Sequence, residues 1–211
     1  MYLSRVQLDI KKRQTIKALS IKSMFHGAVE NSFSGERKRK LWRLDRLNGS
    51  YYLLILSQEK PDLSNVESQF GVIGTAEIKD YDQLLERILA GKEWRFRLTA
   101  NPTHSKKTEN DGRGVRGKVY AHITPEYQKK WLIERSESNG FYIDENDFEI
   151  VEEHWNEFRK GSKRRKISIL SVSYEGILKV TDASLFKKAL TNGLGRGKAY
   201  GNGMLTVMSI R

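Results

Sequence analysis

The chain has 211 residues and not one cysteine. That absence excludes disulfides, thiolate metal sites and cysteine nucleophiles, and it fits a reducing, intracellular setting. Long apolar runs are missing as well. No uninterrupted stretch approaches the ~20 residues that a membrane span requires, so no membrane association is expected. The opening Met-Tyr-Leu-Ser-Arg-Val lacks the basic and apolar regions of a secretory signal. Together these omissions imply a soluble, cytoplasmic protein. What is present suffices for a fold: hydrophobic residues make up 38% and aromatics 10%, enough for a packed core. The length suits one large domain or two small ones.

Acidic residues are outnumbered, 26 against 38 Lys and Arg, which leaves a formal charge of +12. Such an excess favours a polyanionic partner, because each phosphate that is neutralised releases condensed counterions. Charge alone leaves a merely solvated basic surface equally open. The cations cluster at residues 37–40 and 113–118, and most densely at residues 159–166. Apolar segments of ordinary core periodicity lie between, so the pattern is one of basic loops on a neutral scaffold.

Tyr2, Val6 and Leu8 alternate with polar residues as in a half-buried strand. Residues 15–33 carry apolar side chains at helical spacing. Residues 41–47 and 51–56 flank Asn48-Gly49, which tolerates the positive φ of a tight hairpin. Residues 81–90 read as a helix closed by Gly91, and Trp94, Phe96 and Leu98 then alternate as a strand. The order is β-α-β-β-α-β, that of a ferredoxin-like unit. A polar, basic stretch over 101–116 suits a linker. The pattern then recurs. Residues 118–123 form a strand, Pro125 opens a helix, and residues 148–158 are extended. Residues 167–174 and 177–180 flank Glu175-Gly176 as a hairpin, residues 184–192 form a helix ended by Gly193, and residues 204–210 close the sheet. The expected fold class is therefore α+β, with two tandem ferredoxin-like domains over 1–100 and 117–211. A single α+β domain is the alternative.

Three constellations bear on chemistry. The first is residues 193–203, where five glycines alternate with Arg196 and Lys198. Glycines such as Gly195 and Gly197 let a backbone approach a ligand closely, and the cations suit phosphate. The order helix, glycines, strand is the reverse of a dinucleotide fingerprint, and no Gly-Lys-Ser/Thr ending marks a P-loop. Taken alone, it reads as a glycine-rich connection with incidental charges. The second is His26, within Lys22-Ser-Met-Phe-His-Gly-Ala-Val; an imidazole titrates near neutrality and can move a proton. A lone histidine is weak evidence for catalysis. His104, His122 and His154 are scattered, no two at metal-ligand spacing, so any chemistry here is expected to need neither metal nor cofactor. The third is Arg159, Lys160, Lys163, Arg164, Arg165 and Lys166, six cations in eight residues between two expected strands. Their mutual repulsion implies a missing polyanion, and such a ribbon can reach the phosphates and base edges of a folded RNA.

In this order the features resemble the CasE/Cse3 family, the CRISPR RNA-processing endoribonucleases of the type I-E Cascade. The resemblance runs through Phe-His-Gly-Ala-Val at 25–29, Leu-Trp-Arg-Leu-Asp at 41–45, Trp-Arg-Phe-Arg-Leu-Thr-Ala-Asn-Pro at 94–102, Glu-Gly-Ile-Leu-Lys-Val-Thr-Asp at 175–182 and the glycine-rich tail. It implies tandem ferredoxin-like domains and metal-independent cleavage of the CRISPR repeat beneath its stem-loop. It also implies retention of the product among the other Cascade subunits. His26 matches the family's catalytic histidine. The family carries a tyrosine three residues earlier; here that position is Ser23, which replaces a phenol only in part. Residues 159–166 fall where the family's basic hairpin grips the RNA stem, and residues 193–203 match its glycine-rich loop.

On that resemblance the substrate's own 2′-hydroxyl is the nucleophile, and the protein supplies proton transfer and positive charge. His26 is expected to move the proton; Lys22, Arg196 and Lys198 are the cations available to the phosphorane, with no one of them singled out. Two alternatives stay open: a noncatalytic RNA-binding subunit of the same complex, and a ferredoxin-like binder of another nucleic acid such as duplex DNA.

Overall fold

A computed structural model of the chain describes residues 1–35, 38–106, 117–160 and 165–210, without the side chains of residues 158–160, 165 and 166. Arg37, residues 113–116, Lys163 and Arg164, all named above for their charge, lie outside the described residues.

The elements run β1 (Tyr2–Gln7), α1 (Arg13–Ser20), α2 (Ser23–Asn31), β2 (Leu41–Leu47), β3 (Ser50–Ser57), α3 (Ser64–Gln69), β4 (Glu77–Asp80) and α4 (Asp82–Glu86). There follow β5 (Glu93–Ala100), β6 (Thr103–Lys106), β7 (Lys118–Ala121), α5 (Pro125–Ser136), β8 (Phe141–Tyr142), β9 (Phe148–Lys160), β10 (Arg165–Val180), α6 (Ala183–Asn192) and β11 (Leu205–Ser209). The first sheet has the order β2-β3-β1-β4, and the second runs β11-β5-β10, with β8 and β9 both on the far side of β10. All pairings are antiparallel. With the two-residue β8 set aside, each sheet thus places its fourth strand beside its first and its third beside its second, the arrangement a βαββαβ unit produces.

Local chemistry sets several boundaries. Asn48 and Gly49 both take positive φ (49° and 81°), the requirement of the tight β2–β3 turn. Pro125 sits in the first turn of α5, where its missing N–H is harmless. The Asp182 side chain accepts from the backbone N–H groups of Ser184 and Leu185, capping α6. The stretch expected as one helix over 15–33 divides at Ile21, whose φ and ψ of −121° and 75° are not helical.

Three expectations are corrected. The strand bearing Trp94, Phe96 and Leu98 does not close the first sheet; as β5 it lies between β10 and β11 and opens the second. Its apolar side chains belong to the second core, with Leu170, Val172, Tyr174, Phe186 and Leu190. The first sheet is closed by β4, whose pairing with β1 was hidden by polarity, since Glu77, Lys79 and Asp80 face solvent. The expected linker over 101–116 is corrected at its described end: residues 103–106 follow β5 and pair with residues 118–121, while residues 107–116 lie outside the described residues. Finally, Glu175-Gly176 is not a turn. β10 runs straight through it, and a Cβ on Gly176 would lie 2.2 Å from the carbonyl oxygen of Asp147, so the glycine serves a close approach within the sheet.

The two units meet through β2. Its alternation turns Trp42 into the first core and Arg43 and Asp45 towards the second sheet. The Arg43 guanidinium donates from Nε to Asp45 Oδ1 (2.6 Å) and from Nη2 to Asp45 Oδ2 (2.7 Å) and Thr206 Oγ1 (2.9 Å). Nη1 donates to the carbonyls of Arg97 and Met204, 2.9 Å each. A small cluster of Leu41, Leu56, Tyr81 and Met204 seals the same junction. Removing one partner of a buried ion pair strands the other charge, so Arg43→Met is expected to lower unfolding free energy by about 3–5 kcal/mol. Urea unfolding measures it, and a loss below about 1 kcal/mol contradicts this role.

Candidate nucleic-acid interface

Helix α2 turns Phe25, Ala28 and Val29 into the first core, where the Phe25 ring lies 6.1 Å from Trp42 and 5.1 Å from Phe70. With that face fixed, helical spacing directs Ser23, His26 and Gly27 the other way. Ser23 and Gly27 are exposed and His26 is half-buried. His26 donates its backbone N–H to the carbonyl of Lys22 at 3.3 Å, one turn back. Its neighbour Gly27 has nothing within 4 Å of where a Cβ would stand, so the surface at Gly27 is open.

The glycine-rich segment 193–203 lies against this helix. Its short 3-10 turn, Lys198–Tyr200, packs on α2 and on β2. A Cβ at Gly201 would be 2.8 Å from the Trp42 ring, and one at Gly195 would be 2.9 Å from Trp131. The glycines therefore let the turn sit directly on two buried indoles, one from each unit. Trp42 touches both Phe25 and Gly201, which couples the position of α2 to that of the turn. Gly197 and Gly201 also take positive φ, 83° and 78°. Further tethers hold the segment: Gly203 N–H to Thr99 O at 2.6 Å, Lys198 Nζ to Gly195 O at 2.6 Å, and a backbone bridge between Arg196 and Asn101.

The charge on this face is positive. Arg196 is exposed. Lys198 is half-buried, and burial first, then the nearby Arg39, hold its ammonium below the ordinary lysine value. Burial also lowers Lys22, against the opposing attraction of Glu152. Lys22 lines a cavity of about 650 Å³ between the two sheets, together with Arg46, Arg97, Glu152 and His154.

Of the residues singled out in the sequence, Ser23 and His26 stand on the outward side of α2 with Lys22 at its N-cap. Lys198 belongs to the turn packed on that helix, and Gly195, Arg196 and Gly197 lead into it, with Arg196 bridged to Asn101. The basic hairpin is β9–β10, in which Lys160 pairs with Arg165 and Arg159 with Lys166 through their backbones. Lys163 and Arg164 fall outside the described residues. Sequence reasoning missed the Arg43–Asp45 pair, whose only signal was two opposite charges two apart on a strand. It also read the histidines as scattered, whereas β6 and β7 bring the rings of His104 and His122 to 4.7 Å.

A family model described as CRISPR associated protein matches residues 1–209. The CRISPR-associated endoribonuclease Cse3 of Thermus thermophilus is 29% identical over 221 residues, covering 98% of this chain and 99% of that relative. A structure of CRISPR endoribonuclease Cse3 bound to 19 nt RNA superposes with a TM-score of 0.82 at 26% identity, over 99% of this chain and 100% of that one. Thermus thermophilus Cse3 bound to an RNA representing a pre-cleavage complex gives 0.79 at 25% identity, over 98% of each chain.

The contrast between two glycines on this face is testable. Gly27→Ala, in an exposed and uncrowded helical position, is expected to stabilise the protein by about 0.5–1 kcal/mol. Gly201→Ala, with positive φ and the Trp42 ring in the way, is expected to destabilise by more than that. Denaturant midpoints of the two variants check the sign of each.

Proposed function

The chain belongs to the CRISPR associated protein family, and from that premise we propose that it is an endoribonuclease that cuts precursor CRISPR RNA at the base of the repeat stem-loop. In this reading it works in the cytoplasm without metal and keeps the mature RNA as a subunit of Cascade. The observation that carries the reading is the half-buried His26 on the outward side of α2, a helix packed against the Lys198–Tyr200 turn of the glycine-rich segment that also carries Arg196.

RNA brings its own nucleophile. The 2′-hydroxyl beside the scissile phosphate attacks phosphorus, the 5′-oxygen leaves, and the products end in a 2′,3′-cyclic phosphate and a 5′-hydroxyl. The protein holds the ribose and phosphate in line, moves a proton and offsets the charge that builds on the phosphorane. His26 moves the proton. The cations for the phosphorane come from Lys22, Arg196 and Lys198. Lys198 is committed to Gly195 O in the free protein, which leaves the exposed Arg196 the readier of the two turn cations. Arg159, Lys160, Lys163, Arg164, Arg165 and Lys166 grip the stem through its phosphates and groove edges, and Gly195 and Gly197, whose missing Cβ atoms make room for Trp131 and Asn202, carry Arg196 between them towards the RNA.

One observation favours a second reading. Ser23 stands where the family has a tyrosine, and a serine hydroxyl at the start of α2 is shorter and a weaker acid than a phenol. A chain so altered fits a noncatalytic RNA-binding subunit, with His26 idle.

Incubation with end-labelled repeat hairpin RNA in EDTA separates the two. Cleavage is expected, and His26→Ala is expected to slow it by about 10²–10⁴-fold while leaving hairpin affinity unchanged. No cleavage by the unaltered protein favours the noncatalytic reading, and equal loss of cutting and binding in the variant makes His26 structural.

A further inference from the structure

A second surface of the C-terminal unit has no part in the cutting site. Four rings follow one another across it: Tyr120 of β7, His104 of β6, His122 and Tyr127 of the first turn of α5. Tyr120 and His104 lie 5.9 Å apart at 28°, His104 and His122 4.7 Å apart at 40°, and His122 and Tyr127 5.9 Å apart at 18°. Tyr120, His104 and Tyr127 are exposed. Beside the rings opens a groove of about 540 Å³, with Trp131 and Ile123 in its lining and Lys130 and Glu134 among its charged residues.

The groove is held in shape by the protein itself. His122 donates its backbone N–H to Pro102 O at 3.0 Å, and the buried Gln128 side chain donates to His122 O (3.1 Å) and Glu153 Oε2 (2.6 Å). Among the described residues four rings, His104, His122, Tyr127 and Trp131, line it against two aliphatic side chains, Ile123 and Ala121, which suits planar ligands better than the apolar ridge of a protein helix. Burial first, then the neighbouring His104, pull the His122 imidazole below its ordinary value, with Glu134 acting against them. Trp131 in this lining is also the indole on which Gly195 rests, and Arg196 bridges to Asn101 just before β6. The groove therefore shares the Trp131 ring with the glycine-rich segment but none of that segment's residues line it.

We infer that the His104–His122–Tyr127 groove is a stacking site for unpaired RNA nucleotides that flank the stem. The inference rests on the RNA-processing reading above and adds to it a place for single-stranded bases. Bases splayed from single strands stack on aromatic and histidine rings without regard to sequence. The +12 charge of the chain supplies the complement to the connecting phosphates, while the groove itself carries one cation, Lys130, and one anion, Glu134.

The test compares repeat hairpin RNA that is blunt with the same hairpin carrying a short single-stranded extension on the 5′ or the 3′ side, with 2-aminopurine in the extension. One of the two extensions is expected to strengthen binding by about 5-fold or more per stacked base, with quenching of the 2-aminopurine. Tyr127→Ala should erase the gain and the quenching, Tyr127→Phe should keep both, and both variants should bind the blunt hairpin as the unaltered protein does. Equal affinity for blunt and extended RNA overturns the inference and leaves the groove to a protein neighbour. Equal weakening of both RNAs by Tyr127→Ala overturns it as well, by making the ring structural. Failure of the unaltered protein to bind the blunt hairpin defeats the RNA-processing reading itself, a result distinct from the other two.

Discussion

Every donor on one guanidinium is spent holding the molecule together. Arg43 has five N–H groups, and five acceptors meet them: two carboxylate oxygens of Asp45, the carbonyls of Arg97 and Met204, and the Thr206 hydroxyl. The side chains of Arg43 and Asp45 are only 2% and 6% exposed. Apolar contacts tolerate sliding, but a planar fork with fixed bond directions does not. Arg97 extends the network from the second sheet, with Nε 3.5 Å from Asp45 and a close pair with Glu175. Removing two charges from water is costly, and such a pair adds little net stability over a well-packed apolar substitute. Its contribution is to fix one relation between two sheets.

That relation sets the working surface. Trp42 is the residue before Arg43 and points the opposite way, into the first core against Phe25 and under Gly201. Whatever fixes β2 therefore fixes the helix bearing His26 and the turn bearing Arg196 relative to each other. The surface helix contributes little to the core beyond Phe25, Ala28 and Val29, and its outward side carries Ser23 and the half-buried His26. A substrate that supplies its own nucleophile asks for few protein groups, and an imidazole with a few placed cations can meet the demand.

Much of the fold was legible where the backbone has local requirements. Asn48-Gly49, Pro125 and Gly193 each fix a boundary by a steric rule that needs no knowledge of the rest of the chain. Pairing was less legible, because alternation marks a strand without naming its partner. β5 fits equally well after the first helix pair or before the second, and only its burial with Phe186 and Leu190 decides. β4 offered no alternation at all, being a four-residue edge strand of mostly exposed charges. Gly176 misled because glycine serves turns and close approaches alike.

The site divides in the same way. His26 and the glycine-rich tail were visible as residue types, yet each was weak alone and gained force only from family resemblance. The contacts that make the glycines necessary, to Trp42 and Trp131, join residues too far apart in sequence for any local pattern to reveal. The imidazole pair of His104 and His122 is of the same kind, assembled by a hairpin that pairs residues 103–106 with 118–121.

The most direct measurement of the central claim, that the ribose itself does the attacking under a protein-held imidazole, is the chemistry of the cut end. Purified protein should leave a 2′,3′-cyclic phosphate on the upstream fragment, which phosphatase removes only after acid opens the ring, and it should fail on RNA with a single 2′-deoxy sugar before the cut. A 3′-hydroxyl on that fragment, or undiminished cutting of the deoxy substrate, would contradict the account.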